Sequence, residues 1–467
     1  MTAGPDQGVT QQSPLAFGRN GETLHPTLVE GEVRVIGHRW SPRVHQIKSF
    51  LARSRVRYRW FDVERDEVAA GTAGHIGTGG EQRYPIVILP DGSVLVDPDV
   101  RELARRLGLD TDPDATFYDL IVVGGGPAGL SASIYAASEG LRTVVLEQEV
   151  PGGQISFSAI VENYPGFPEA LSGSDLASRT VQQADRFGVE ITVLRRAVGL
   201  RQQGEHRVVI LDDQTELISR AVLLSLGVSF RWLDVPGCSS LVGAGVYYGA
   251  AIAEASACRG QDIYILGGGN SAGQAALLLA QFARRVVILA LEDSIEETMS
   301  QYLVDRLRQL PNVEIRTNAT VSCVNGQNRL EEITIQSVKT GSTEQVRCDG
   351  LFVFIGATPR TEWLEHVVRR DEKGFILSGA DVNCDLSQWP EWPLEREPYR
   401  LETSMPGVFV AGDVRKGSVK RLTSAVGEGA MAVEFIHRYG KASRDSRQRP
   451  EPAVQAVKPA LSEAKGR

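Results

Sequence analysis

Two short stretches carry residue types and spacing that can hold a dinucleotide. Residues 118–130, YDLIVVGGGPAGL, and residues 262–272, DIYILGGGNSA, each join an apolar run to clustered glycines and a helix-opening segment. The first places Gly124, Gly126 and Gly129 in G-x-G-x-x-G, with Pro127 and Ala128 inside the motif. The second places Gly267, Gly269 and Ala272 in G-x-G-x-x-A, around Asn270 and Ser271. Glycine permits a tight turn and a close approach of backbone to a pyrophosphate, and the N-terminus of the following helix faces that charge. One such motif alone also fits an ordinary strand–helix turn. Two in one chain read as a flavin site and a pyridine-nucleotide site. Glu147 ends the strand TVVLE, 18 residues after Gly129. That spacing suits a carboxylate accepting hydrogen bonds from adenosine ribose hydroxyls; a structural strand-end carboxylate is the other reading.

The elements that must position these motifs divide the chain. Its 467 residues allow about three domains, and 42% apolar residues suffice for substantial cores. Residues 1–30 are polar, without a persistent period, and read as a flexible segment. Residues 31–110 offer a β-α-β-β-β-α order, a small two-layer α/β unit, and 111–116 (TDPDAT) a linker. The first fingerprint opens a flavin-binding unit over 117–236. A pyridine-nucleotide unit over 237–352 interrupts it, and it resumes over 353–442, where Gly412 and Asp413 stand in the late AGDV turn. Residues 443–467 read as a flexible tail. The net charge of −8 argues against a general nucleic-acid surface. The cluster Arg53, Arg55, Arg57 and Arg59 reads as a solvated face. No run approaches the roughly 20 apolar residues that span a bilayer, and no basic-then-apolar leader opens the chain, so a soluble, cytoplasmic protein is expected. Five cysteines (Cys238, Cys258, Cys323, Cys348, Cys384) form no C-x-x-C and suit neither a disulfide framework nor a compact metal site. No metal site is expected, His38 and His45 included.

Assembled, the motifs resemble the low-molecular-weight thioredoxin reductase family over about 118–440. The resemblance is carried by GGGPAGLSASIYAASEGLRTVVLE at 124–147, GGQISFSAIVENYPGFPEALSG at 152–173, GGGNSAGQAAL at 267–277, FIGATPRTEWL at 354–364 and GVFVAGDVRKGSVKRLTSAVGEGA at 407–430. It implies two Rossmann-like domains, the NAD(P) domain inserted in the FAD domain, in a homodimer that accepts hydride from NAD(P)H. It also implies that Gln154 and Asn163 lie along FAD, that Glu147 binds its ribose, and that Asp413 contacts its ribityl/pyrophosphate region, with Gly412, Lys420, Arg421 and Leu422 among the cofactor-binding residues. Gln154 and Asn163 as simple loop caps is the alternative.

The chain departs from that family where the family carries its dithiol. Gly249, Ala250, Ala251 and Ile252 occupy the neighbourhood, and none can form a thiolate. Cys258 lies too far along, without a resolving partner nearby. The N-terminal unit resembles a thioredoxin/glutaredoxin-like domain, with RWSPRVHQIKSFL at 39–51 in place of its redox segment. Ser41 and Val44 stand at the two thiol positions, Ser41 as a helix N-cap. Tyr84–Pro85 resembles the cis-proline turn facing such a site, or is a trans edge-strand proline. After the strand VVIL the chain presents Glu292 and Asp293 rather than an arginine-rich stretch, which favours NADH over NADPH; Arg284 or Arg285 reaching a phosphate is the competing possibility. No catalytic side chain is singled out. The reading is an FAD-dependent NAD(P)H oxidoreductase that lacks conventional disulfide reduction and passes electrons to an unidentified acceptor, a small redox protein among the candidates. The alternative is a flavin-binding regulatory or scaffold protein with weak or no turnover.

Overall fold

The computed structural model describes residues 32–54, 56–76, 83–158, 161–249, 254–383 and 392–448. The expectations for residues 1–30, for Arg55, Ala250, Ala251, Ile252 and Cys384, and for the tail beyond Gln448 fall outside them.

The N-terminal unit runs β1 (Val33–Gly37), α1 (Pro42–Arg53), β2 (Tyr58–Asp62), α2 (Glu67–Ile76), β3 (Ile86–Ile88), β4 (Val94–Val96) and α3 (Val100–Arg106). The strands form one mixed sheet in the order β2-β1-β3-β4, with β1 parallel to β2 and antiparallel to β3. α1 starts where Ser41 accepts from the Val44 N–H at 3.4 Å and Pro42 presets the first turn. It buries Val44, Ile47, Phe50 and Leu51 against β1 and β3. Each such side chain is worth roughly 1.5–3 kcal/mol of burial. The expected β-α-β-β-β-α order is corrected by one element, α2. Among its described positions Ala69 and Ala73 are buried, and Gly71 and Gly74 interrupt it. Glycine disfavours a helix interior, so local pattern reads as loop; packing against Ile36, Ile86 and Ile88 overrides it.

The second unit contains β5 (Phe117–Val123), α4 (Pro127–Ser138), β6 (Thr143–Leu146), α5 (Gly173–Arg186), β7 (Glu190–Thr192), β8 (Ala197–Gln203), β9 (His206–Leu211) and β10 (Glu216–Leu224). β11 (Ser229–Phe230) then leads away to β12 (Val246–Tyr248), β13 (Asp262–Leu266), α6 (Asn270–Leu279), β14 (Arg285–Leu289), α7 (Gln301–Arg308), β15 (Val313–Arg316), an antiparallel trio β16 (Ala319–Asn325), β17 (Glu332–Ser337) and β18 (Thr343–Arg347), and β19 (Gly350–Val353). β20 (Ala357–Thr358) returns alongside β11, and β21 (Val408–Val410) rejoins β10 before the long α8 (Leu422–Gln448). One sheet is therefore built from chain on both sides of the insertion, in the order β7-β6-β5-β10-β9-β8 with β21 on β10. The inserted sheet, β12-β19-β13-β14-β15, is wholly parallel. β13, β14 and β19 carry apolar runs because both faces of the sheet are covered, by α6 and α7 on one side and by the β16–β18 trio on the other. α8 continues to Gln448, past residue 442. Among the described residues no helix is long and apolar enough to cross a membrane.

Candidate dinucleotide cleft

Each fingerprint sits where a strand ends and a helix begins. After β5 the chain turns at Gly124 into α4, whose first residue is Pro127. Gly129 packs under this turn: a Cβ there would lie 2.0 Å from the Gly124 carbonyl oxygen and 2.6 Å from Ser225 Oγ. The free N–H groups of the α4 N-terminus thus face outward from the sheet's carboxyl edge, an anion-binding arrangement. Glu147 lies beside them, buried. Its Oε2 accepts from Gly125 N at 2.7 Å and its Oε1 from Glu149 N at 2.8 Å. Burial pushes this carboxyl above its usual range; the two backbone N–H groups and Arg53 oppose the shift.

A continuous cleft of about 1250 Å³ opens from this point, lined by Gly124, Gly126, Pro127, Ala128, Glu147 and Gln154, and closed from the other side by Gly412, Asp413, Lys420, Arg421 and Leu422. The 412–413 turn is held by α8, where Glu428 accepts from Gly412 N at 2.8 Å and pairs with Arg415. Burial raises the Asp413 carboxyl, with Lys420 opposing. Gln154 donates to the Val228 carbonyl at 2.5 Å. Asn163 lies exposed and off this lining, unlike its neighbours in the expected set. Its segment is instead fixed through Glu162, which pairs with Arg306 on α7 at 2.7 Å.

The second fingerprint repeats the geometry. Gly267 turns the chain into α6, Asn270 Oδ1 accepts from Ser300 N at 2.7 Å, and Thr298 donates to the Gly268 carbonyl at 2.9 Å. Gly269 and Ala272 complete the turn, Ala272 buried in the core beneath it. Glu292 reaches back from the end of β14. Its Oε2 is buried without a hydrogen-bond partner, and a Cβ at Gly268 would stand 2.6 Å from it. An orphaned carboxylate oxygen beside the fingerprint fits ribose hydroxyl donors. Arg284 and Arg285 are removed as phosphate ligands: they sit at the opposite end of β14, paired with Asp262 and Glu314. Asp293 is turned to Lys339. Ser271, at the start of α6, lines the same cleft as the first fingerprint, while Gly267, Gly269, Asn270, Ala272 and Glu292 lie off that lining.

Sequence reasoning missed the rest of the wall. Phe157 and Phe230 pack edge-to-face with ring centroids 5.8 Å apart, and His45, Ser49 and Arg53 of α1 reach the cleft from the N-terminal unit. Arg53, read as solvated, is corrected: its guanidinium pairs with Glu149 and lies 4.4 Å from the Phe157 ring centre. These residues come from elements far apart in the chain, and no local pattern links them.

Among the described residues no cysteine lines the cleft. Cys238, Cys258 and Cys348 are buried and free. Burial and the nearby Glu254 push the Cys258 thiol up to about 12, and burial raises Cys348 and Cys238 as well. Val44 is fully buried and Ser41 serves as a cap, so neither offers redox chemistry. The Tyr84–Pro85 peptide is cis.

Residues 118–429 match the family model of the pyridine nucleotide-disulphide oxidoreductases. A 34.2 kDa protein in the rubredoxin operon of Clostridium pasteurianum is 32% identical over 321 residues, 69% of this chain and 96% of its own. Thioredoxin reductase of Bacillus subtilis is 29% identical, over 69% of this chain and 94% of that protein. Among solved structures, thioredoxin reductase of Lactococcus lactis in its FR conformation is similar with a TM-score of 0.62 and 28% identity, covering 70% of this chain and 99% of that one.

Proposed function

The chain belongs to the pyridine nucleotide-disulphide oxidoreductase family, and from that premise we propose that it is an FAD-dependent NAD(P)H oxidoreductase working without a thiol relay. One observation carries the reading: the first dinucleotide turn and Ser271 of the second line a single cleft that no described cysteine reaches. Bound FAD supplies the redox centre that takes hydride from a reduced nicotinamide and releases electrons onward. The chain's residues bind and orient. The α4 N-terminus with Gly124 and Gly126 faces the pyrophosphate, Glu147 takes ribose hydroxyls, and Gly412 and Asp413 close over the ribityl side. The α6 N-terminus with Ser271 faces the second pyrophosphate. Glu292 takes the adenosine ribose of NADH, where a 2′-phosphate would meet a carboxylate; NADH is the preferred donor.

The N-terminal unit is read as a thioredoxin/glutaredoxin-like domain that has lost its dithiol. Its mixed sheet, the Ser41-capped α1 and the cis Tyr84–Pro85 peptide support that reading. The family resemblance also carries a homodimer, the sequence reading a cytoplasmic location, and the missing dithiol an acceptor other than a disulfide, a small redox protein among the candidates. Anaerobic addition of NADH or NADPH to the purified FAD-loaded protein tests the central claim. Rapid stoichiometric bleaching of the flavin is expected, faster with NADH. A protein that keeps its FAD yet bleaches with neither is a flavin-binding scaffold instead.

A further inference from the structure

α1 touches both nucleotide-binding units. On one side Lys48 Nζ lies 3.2 Å from each carboxylate oxygen of Glu254, and His45 Nδ1 lies 2.7 Å from Glu254 Oε1. Lys48 is 4% exposed and Glu254 2%. Charges so enclosed exist only while the two surfaces stay closed on each other, since an unpaired buried ion is strongly unfavourable. Glu254 belongs to the inserted unit, just after the 249–252 stretch that replaces the family's dithiol. Around it, Arg39 donates to the Ala257 carbonyl, and Gly243 leaves room for the start of α1: a Cβ there would lie 3.0 Å from Pro42 Cα.

On its other side the same domain grips the flavin unit. Arg53 pairs with Glu149, Arg101 donates to the Leu194 carbonyl at 2.6 Å and pairs with Asp212, and Val150 packs in the N-terminal core. The two nucleotide-binding units are joined by chain that crosses between them twice, through the short ribbon of β11 and β20. A two-stranded connection is hinge geometry.

We propose that the N-terminal domain is a built-in clamp. Docked on Gly243, Glu254 and Ala257 of one unit and, through Arg53 and Arg101, on Glu149, Leu194 and Asp212 of the other, it holds the hinge in the arrangement that brings Ser271 to the flavin-side cleft. It also covers Gly243, Glu254 and Ala257, so an external protein partner must approach elsewhere. This goes beyond the proposed activity and does not depend on it, because every contact is protein to protein.

Hydrogen exchange followed by mass spectrometry on the full-length, FAD-loaded protein tests the clamp. Glu254→Lys and Lys48→Glu each leave like charges buried together. Each is expected to speed exchange about 100-fold at 44–51, 254–258 and the hinge strands β11 and β20, with β5 and β13 unchanged. The charge-swapped double variant restores most of the protection. Lys48→Met, which removes only the charge, gives the same pattern at smaller size and stands in if a reversal variant does not fold. The clamp is overturned if Lys48→Met leaves the docking surfaces protected, if those surfaces open while the hinge strands do not change, or if the folded double variant is as open as the single ones.

Discussion

Glu147 and Glu292 end corresponding strands of two βαβ units, yet their oxygens are engaged differently. Glu147 accepts two backbone N–H groups, while Glu292 Oε2 accepts none. The first carboxylate also braces its own loop; the second is left for a ligand. Glu292→Arg should therefore shift the NADH-to-NADPH preference in flavin bleaching toward NADPH by about 10-fold or more, with little change in stability. An unchanged ratio would remove Glu292 from the ribose site. Glu147 makes a pH prediction. Its folded-state carboxyl is raised above the ordinary value of 4.5, chiefly by burial. A raised carboxyl contributes its stability fully below that ordinary value and loses it as pH rises through the folded value. In FAD-free protein, Glu147→Gln should gain on the native chain as pH goes from 4 to 7, by denaturant melts at each pH. A gap that stays constant, or moves the other way, refutes the assignment of burial as the dominant cause.

At the scale of elements, the flavin-side cleft depends on α8 lying close on α4. Gly429 makes that approach possible, since a Cβ there would stand 2.1 Å from the Ala128 carbonyl oxygen. Gly429→Val should push α8 away, move the Gly412–Asp413 turn that Glu428 anchors, and destabilise the chain by about 1–3 kcal/mol. Thermal melts and the FAD-to-protein ratio check it; a folded variant with full flavin content contradicts it. What the sequence made legible follows from range. Both strand–turn–helix motifs, the Ser41 cap and the GVFVAGDV turn are written in contiguous residues, where spacing alone defines the geometry. α2 was not legible, because its alanines become a core only when Ile36, Ile86 and Ile88 arrive. Asn163 sits in a contiguous motif yet is exposed and off the cleft lining, which local spacing does not foretell. The Lys48–Glu254 pair spans 206 positions, and no local rule relates its members.

For the whole molecule, the question is whether electrons travel through sulfur. The described cysteines that are buried have thiols raised away from the thiolate form, and none faces the shared cleft. Both positions where a paired dithiol would be expected, one in each half of the chain, hold residues without sulfur: Gly249 with its neighbours in sequence, and Ser41 with Val44. Hydride transfer between two bound dinucleotides needs their alignment and no nucleophile. Replacement of all five cysteines, with alanine at the buried sites to preserve packing and serine at the others, should leave FAD content intact. The rate of anaerobic flavin bleaching should stay within about twofold, the change expected when no transition-state contact is removed. The same variant should pass electrons onward to a ferricyanide probe as the native chain does. If bleaching survives but onward transfer fails in a folded, flavin-loaded variant, a thiol lies on the exit path. If bleaching itself fails, a cysteine positions one of the dinucleotides. The burial of Cys238, Cys258 and Cys348 in the cores on either face of the inserted parallel sheet argues against both outcomes at these three positions, because a group enclosed in packed core neither meets an acceptor nor touches a ligand in the cleft.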